Sequence, residues 1–149
     1  RIMKWNVLEA FAAGANGVNM YAYADIDLLD MKYYSDAIWT VMPVEDIMLE
    51  GKDGAGYVQI TKGQANLRAL KKGDEYLILI SEYNHSDRRK VQVKLPDAVK
   101  GHSIWNLNER KRIGKVSGQN STEDANLSPE KRAVMYVEDQ DLRFQLRTW

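Results

Sequence analysis

Three aspartates close together near the start of the chain are the residues best suited to chemistry. Asp25, Asp27 and Asp30 fall within one short loop segment. Two carboxylates about 5 Å or about 6.5–9.5 Å apart can cleave a glycosidic bond, and several carboxylates can ligate calcium. Asp25 and Asp27 could meet the first requirement, as any Asp-x-Asp pair could, and the segment lacks the glycine of an EF-hand loop. Helix capping by Asp30 and solvated loop acids explain the cluster without a reaction, so we assign no catalytic residue and no metal ligand.

The rest of the sequence offers little further chemistry. His85 and His102 are the two histidines, and they lie on different predicted loops. The sequence has no cysteine, no Gly-x-Ser-x-Gly motif and no glycine-rich phosphate loop. Thiol nucleophiles and cysteine-bound zinc are therefore excluded, and we expect no cofactor. The lack of cysteine leaves the compartment open, with an extracellular or periplasmic location slightly favoured.

Charge and hydropathy restrict the classes of partner. The chain carries 21 basic and 21 acidic residues, for a net charge of zero. Nucleic-acid binders normally show a basic excess or stripe, so this balance argues against one. No apolar run is long enough to span a bilayer, and we expect no membrane partner.

Aromatic residues of the second half could stack on sugar rings. Most of them alternate with apolar residues and are expected to pack in a core. In the segment Ser-Ile-Trp-Asn-Leu, Ile104 and Trp105 must point to opposite sides of a strand, so one of the two is expected to face outward. Trp105 is therefore a candidate sugar-binding residue.

The elements that would position these residues fall into two parts. Residues 5–13 predict a helix, residues 18–23 a buried strand, and residues 30–42 a second helix capped by Asp30 and ended by Pro43. A short last helix is expected to begin at Pro43. A single strand of this kind cannot cover both of its faces or pair its backbone groups, so the segment resembles one slice of an alternating α/β architecture.

From residue 57 onward the pattern changes to short β segments. Residues 51–56 are rich in glycine and predict a linker. About eight strands follow, and residues 117–130 are expected to form a polar loop. The strands are predicted at residues 57–61, 66–70, 75–83, 90–95, 103–107, 112–116, 133–137 and 142–146. The predicted fold class is α+β, with an N-terminal helix-strand-helix segment (residues 1–50) followed by an antiparallel β-sandwich (residues 57–149).

Two stretches resemble parts of a (β/α)8-barrel glycoside hydrolase. Residues 9–21, Glu-Ala-Phe-Ala-Ala-Gly-Ala-Asn-Gly-Val-Asn-Met-Tyr, resemble its seventh helix and eighth strand. Residues 33–37 and 43–51 look like its last helix, and Tyr-Leu-Ile-Leu-Ile at residues 76–80 looks like the small β-sandwich that follows many such barrels. The resemblance implies that the catalytic carboxylates lie upstream of this chain. It also implies that four residues at the C-terminal end of strand eight and just beyond it line the rim of a sugar pocket: Tyr21, Tyr23, Asp25 and Asp27.

The sequence thus predicts the C-terminal part of a glycoside hydrolase, with a β-sandwich that stabilises the barrel. The chain alone is expected to be inactive, and its ligand, through the parent enzyme, would be a carbohydrate. The N-terminal segment is expected either to self-associate or to dock on the missing barrel.

Two alternatives to this prediction stay open. One is a free-standing carbohydrate-binding or structural β-sandwich without activity, whose helices pack on its own sheet. The other is a subunit that docks on a partner chain.

Overall fold

The fold combines N-terminal helices with antiparallel strands, which confirms the predicted α+β class. In the computed structural model, residues 2–19, 26–81, 89–117, 122–127 and 133–138 are described. The helices are α1 (Ile2–Ala12), α2 (Leu28–Val41) and α3 (Glu45–Glu50). The predicted strand at residues 18–23 lies mostly outside the described residues, and the one at 142–146 lies entirely outside them.

The strands form two antiparallel sheets. The strands are β1 (Lys52–Asp53), β2 (Gln59–Lys62), β3 (Asn66–Lys72), β4 (Glu75–Ser81), β5 (Arg89–Lys94), β6 (Ser103–Asn106), β7 (Lys111–Lys115), β8 (Thr122–Leu127) and β9 (Ala133–Glu138). In the described part of the chain, six of them form one sheet in the order β1-β3-β4-β9-β6-β7, and three form another in the order β2-β5-β8.

Strand β4 occupies the middle of the larger sheet and is buried on both of its faces. Leu77 and Leu79 point toward the helices, whereas Tyr76, Ile78 and Ile80 point toward the smaller sheet. This alternation follows from the two-residue period of a strand. It explains why the segment is almost continuously apolar, since both faces of the strand are covered. The molecule therefore has three layers: helices, the six-stranded sheet and the three-stranded sheet.

The hairpin between β3 and β4 sets their register. Lys72 pairs with Glu75, which leaves a two-residue loop of Gly73 and Asp74. Gly73 takes a φ of +59° at the first position of that loop, where a type II′ turn favours glycine.

The helical layer packs on the larger sheet through α1. Four large side chains of this helix are buried: Trp5, Val7, Leu8 and Phe11. They share one core with side chains of β3 and β4, and α3 contacts the same two strands. Burying each of these side chains contributes roughly 1.5–3 kcal/mol, so the helices are part of the core.

Two local predictions were wrong. Helix α2 begins earlier than expected, because Asp27 rather than Asp30 is its N-cap: the Asp27 carboxylate accepts a hydrogen bond of 2.8 Å from the backbone N–H of Asp30. Strand β8 lies within the predicted loop of residues 117–130. Its polar sequence gives no strand pattern, and it forms because its backbone pairs with β5 at the edge of the smaller sheet.

The predicted linker contains ordered structure in contact with the sheet. Strand β1 pairs with β3, and the Gly54 N–H donates to the Ala69 carbonyl at 2.9 Å. A Cβ on Gly51 would collide with the Ile47 carbonyl, so the exit from α3 requires glycine there. The proposed boundary between two domains at residues 51–56 stays a prediction.

Candidate functional site

The sugar-pocket rim predicted from the resemblance lies mostly outside the described residues. That is the case for Tyr21, Tyr23 and Asp25. Asp27 is exposed at the start of α2, and its Oδ1 already accepts a backbone hydrogen bond as the helix cap. A role for Asp27 toward a sugar therefore stays a prediction and would have to use its other carboxylate oxygen or follow release of the cap.

Trp105 lies between layers and not on an outer surface. It is half-buried and packs against the core shared by the helices and the larger sheet, while Ile104 points into the core between the two sheets. The expectation that one of the two faces outward is wrong, because the sheet is covered on both sides. Sugar binding by Trp105 stays a prediction, and this packing leaves little of its ring available for stacking.

The outward side of the helical layer exposes apolar side chains, which we call the outer helical face. Leu28 is 90% exposed, and Leu29, Met31, Trp39 and Leu49 are each about half exposed. Leu28, Met31 and Trp39 recur at spacings that place them on one side of α2. Beside them, the ends of α1, α2 and α3 enclose an apolar groove of about 310 Å³ that includes Phe11, Ile38 and Met48. Exposed apolar patches of this kind mark interaction surfaces.

A side chain from the larger sheet fixes the end of α2. The Trp39 carbonyl would ordinarily accept from residue 43, but Pro43 has no N–H. Arg110 supplies the donor from the β6–β7 turn: its Nη2 lies 2.7 Å from that carbonyl, and its guanidinium lies 5.5 Å from the centre of the Trp39 ring. This contact holds the partly exposed Trp39 in one orientation.

A second polar contact joins α3 to the larger sheet. Lys72 Nζ lies 2.7 Å from a Glu50 carboxylate oxygen and 3.0 Å from one of Asp46. These hydrogen bonds raise the pKa of Lys72, with Glu50 the larger cause. The contact joins α3 to β3 and thereby fixes the short helix on the sheet.

An aromatic groove lies where β2 begins and β5 ends, in the smaller sheet. Tyr57 is 57% exposed, and its ring meets that of buried Tyr76 edge to face, with 6.4 Å between the centroids. Burial raises the pKa of the Tyr76 hydroxyl. The groove has a volume of about 240 Å³ and is lined by Tyr57, Gln59, Lys94, Leu95, Pro96 and Asp97. It combines one aromatic ring with hydrogen-bonding groups.

Sequence reasoning missed this groove, because most aromatic residues of the second half, a group that includes Tyr57, were expected to pack in a core. A signal was present in the sequence. Tyr57 and Gln59 flank the apolar Val58 at the start of a predicted strand, so the two flanking residues share the face opposite to it. Only the position of residues 94–97 shows that a groove forms beside that face.

Within the described segments there is no group of three or more residues able to hold a metal ion. In the same segments, no helix has the length and apolar character needed to cross a bilayer.

Comparison with known proteins identifies structural neighbours but no sequence relatives. No protein-family model matches the chain, and neither does any curated protein sequence. The fold is similar to a proposed α-N-acetylgalactosaminidase of Bacillus halodurans, with a TM-score of 0.60 and 10% identity, covering 94% of this chain and 33% of that one. It is also similar to an Anoxybacillus α-amylase, with a TM-score of 0.56 and 12% identity, covering 93% and 32%.

Both of these neighbours are glycoside hydrolases by name. At such low identity the likeness shows a shared fold and not a shared activity. The chain spans about a third of the length of either neighbour.

Proposed function

We propose that this chain is the C-terminal part of a glycoside hydrolase, in which the two sheets stabilise a (β/α)8 barrel and the catalytic carboxylates lie upstream. The observation that carries the proposal is the coverage: nearly all of this chain matches a third of each of two glycoside hydrolases. A module of this size that recurs within larger hydrolases is expected to act as part of one. The substrate would be a carbohydrate bound mainly by the barrel.

The outer helical face supports this proposal by its chemistry. A barrel helix has one side against its sheet and another against neighbouring helices, so a helix taken from a barrel would expose apolar side chains. Leu28, Met31 and Leu49 are exposed in this way. We propose that the preceding part of the barrel packs on this face and fills the groove beside Ile38 and Met48.

A specific observation favours the alternative of a free-standing module. The helices share a core with the larger sheet through Leu8, Phe11, Leu77 and Leu79, as expected if they pack on their own sheet. The alternative leaves the outer helical face unexplained, and a second copy of the chain would then be its most suitable occupant.

Expressing the chain together with its upstream coding sequence tests the proposal directly. The longer protein should hydrolyse members of a panel of aryl glycosides, whereas the 149-residue chain should hydrolyse none. A longer protein without activity toward any glycoside, or turnover by the 149-residue chain itself, would contradict the proposal.

Matched substitutions test the docking face. Leu28→Glu and Met31→Glu should destabilise the longer protein, because they would place a charge in an apolar interface. The same changes should leave the stability of the 149-residue chain within about 0.5 kcal/mol, as exposed positions do. Ile113→Glu is the control, since Ile113 is as exposed as Met31, at 48% and 49%, but lies on β7 and not on a helix. Equal responses of all three variants in the longer protein would rule out this face as the contact.

A further inference from the structure

The groove beside Tyr57, which we call the Tyr57 groove, has a backbone that is fixed on both sides of the exposed ring. Tyr57 ends a single 3-10 turn, in which its N–H donates to the Gly54 carbonyl at 3.0 Å. The turn is fixed at its start, where the Asp53 carboxylate accepts from the Ala55 N–H at 2.9 Å. Directly after it, Val58 is buried between the sheets. The ring therefore projects from a backbone that is held on both sides.

The Tyr57 ring is also held in place by contacts with two neighbouring side chains. Tyr76 is almost completely buried and meets it edge to face, and Lys71 Nζ lies within 6 Å of both rings, at 5.4 Å from Tyr57 and 5.7 Å from Tyr76. Edge-to-face packing and cation–π attraction both hold a ring in place. A ring that is already ordered loses little conformational entropy when a ligand stacks on it.

Polar groups converge beside this ring. Gln59 on β2 is the register partner of Lys94 on β5, so their side chains lie on the same face of the smaller sheet. Asp97 begins a 3-10 turn directly after Pro96 and also lines the groove. In the described part of the chain, the side chains of Gln59, Lys94 and Asp97 form no hydrogen bond or ion pair. Their donors and acceptors are thus available to a ligand.

The chemistry of these groups defines a class of ligand. Lys94 donates hydrogen bonds, Asp97 accepts them and Gln59 does both, which suits a ligand whose groups are donors and acceptors at once. Among the residues that line the groove, the charges of Lys94 and Asp97 offset each other, so the lining itself favours neither an anion nor a cation; Lys71 lies against the Tyr57 ring and is not part of the lining. Hydroxyl groups around an apolar ring face, as in a neutral pyranose, satisfy both conditions.

We propose that the Tyr57 groove is a carbohydrate-binding site, in which one neutral pyranose ring of an oligosaccharide stacks on Tyr57 and hydrogen-bonds to Gln59, Lys94 and Asp97. Its volume of about 240 Å³ lies below the roughly 300–1,000 Å³ of sites for drug-sized ligands, which suits a single ring. The choice of a sugar rests on the proposed function.

Binding of sugars to the 149-residue chain, followed residue by residue through backbone amide NMR shifts, tests the proposal. Maltoheptaose and N-acetylgalactosamine are suitable probes, because the names of the two structural neighbours point to these sugar classes. At least one probe should shift the amides of Tyr57, Gln59 and Asp97. No shift at these amides with either sugar at concentrations of about 10 mM, well above the ~1 mM expected of a weak site, would overturn the proposal.

Variants of two tyrosines separate stacking from a general effect. Tyr57→Ala should weaken binding about tenfold or more, and Tyr57→Phe should keep it within about threefold because the ring remains. Tyr33→Ala is the matched control, since Tyr33 also has a lysine, Lys32, 5.6 Å from its ring but lies on α2. Unchanged affinity in Tyr57→Ala, or an equal loss in Tyr33→Ala, would overturn the proposal. Thermal unfolding of each variant verifies that the fold is intact.

The groove and the proposed function can fail separately. If the longer protein hydrolyses glycosides while Tyr57→Ala binds sugar as the wild type does, the groove proposal alone is wrong. If the 149-residue chain binds sugar through Tyr57 while the longer protein hydrolyses none, the groove proposal stands and the proposed function is wrong.

Discussion

The two faces of the six-stranded sheet are covered in different ways. On one face, Ile78 and Ile80 meet a second sheet, and the core between the sheets is closed. On the other face, Leu77 and Leu79 pack with α1 and α3, and α2, which packs on α1, exposes apolar side chains on its outer side. A sheet placed on a sheet can present polar residues to water, whereas these helices are apolar on two sides. The interface between the two sheets is complete within the chain. The helices that cover the other face leave a new apolar surface exposed on their outer side.

This difference shows which layer needs a further partner to cover its apolar surface. The smaller sheet needs only the larger one to bury its apolar side chains. The helical layer buries α1 well but leaves Leu28 almost fully exposed. A layer that is apolar on two sides is expected between two bodies, which is the position that the proposed function gives it. The following four experiments would break or sharpen the comparison, beginning with the largest expected effect.

Removing the helical layer should have the largest effect. A chain that begins at Gly56 would expose Leu70, Leu77, Leu79 and Leu107 on the larger sheet. At roughly 1.5–3 kcal/mol for each side chain, the loss is about 6–12 kcal/mol, which is comparable to the whole stability of a domain. We expect the shortened chain to unfold or associate in sedimentation and circular dichroism. A monomer as stable as the full chain would show that residues 57–149 form an independent domain.

Single truncations on β4 compare the two cores directly. Ile78→Ala empties space between the sheets, and Leu79→Ala empties space under the helices; both side chains are almost completely buried. Each should lower the free energy of unfolding by about 2–5 kcal/mol. Urea unfolding followed by both tryptophan fluorescence and circular dichroism should give one shared transition for each variant. Two separate transitions would mean that the helical layer unfolds by itself.

Arg110 should contribute less, because its contact with Trp39 is exposed. Arg110→Asn removes the hydrogen bond and the ring contact, and Asn tolerates the left-handed φ of +49° at this position. We expect a loss of about 1 kcal/mol in thermal or urea unfolding. Lys111→Asn, at the neighbouring exposed position, is the control and should change stability by less than about 0.5 kcal/mol. Equal effects of the two variants would show that Arg110 does not anchor α2.

The smallest effect concerns pH and the contact of Lys72 with α3. Hydrogen bonds to Glu50 and Asp46 raise the pKa of Lys72 above its ordinary value of 10.5. The folded state therefore holds this proton more tightly, so the contribution is fully present below that value and is lost as pH rises through the higher folded pKa. Burial raises the pKa of Tyr76 above its ordinary value of 10.0. Tyr76 therefore also makes the folded state less stable as pH rises above about 10.

The variant Lys72→Met separates these two groups. Its thermal stability should decrease less than that of the wild type between about pH 9 and about pH 11.5, because the contribution of Lys72 is removed while that of Tyr76 remains. Tyr76 is unchanged in the variant and serves as an internal control. Parallel pH profiles for the two proteins would show that the Lys72 contact does not stabilise the folded state.

The sequence by itself was sufficient to predict the elements whose hydrophobic pattern is local. Such patterns predict a helix or a strand because neighbouring residues repeat with its period. They are the continuous apolar run of β4, the alternation in β5 and the apolar positions of α1. The order of helices before strands, and hence the α+β class, follows from the same patterns. The polar strand β8 could not be predicted, since it depends on pairing with a distant strand and not on its own residues.

Tertiary structure decided which side chains can reach a ligand. Asp27 and Asp30 are both suitable caps by type, and only the backbone at the start of α2 selects Asp27. Trp105 and Tyr57 are both aromatic residues in or beside short strands. Trp105 turns inward because helices cover its face of the sheet. Tyr57 stays exposed because it ends a 3-10 turn just before β2, a strand at an edge of the smaller sheet. The exposure of a residue depends on which distant parts of the chain pack on it. A local sequence pattern holds no information about those parts.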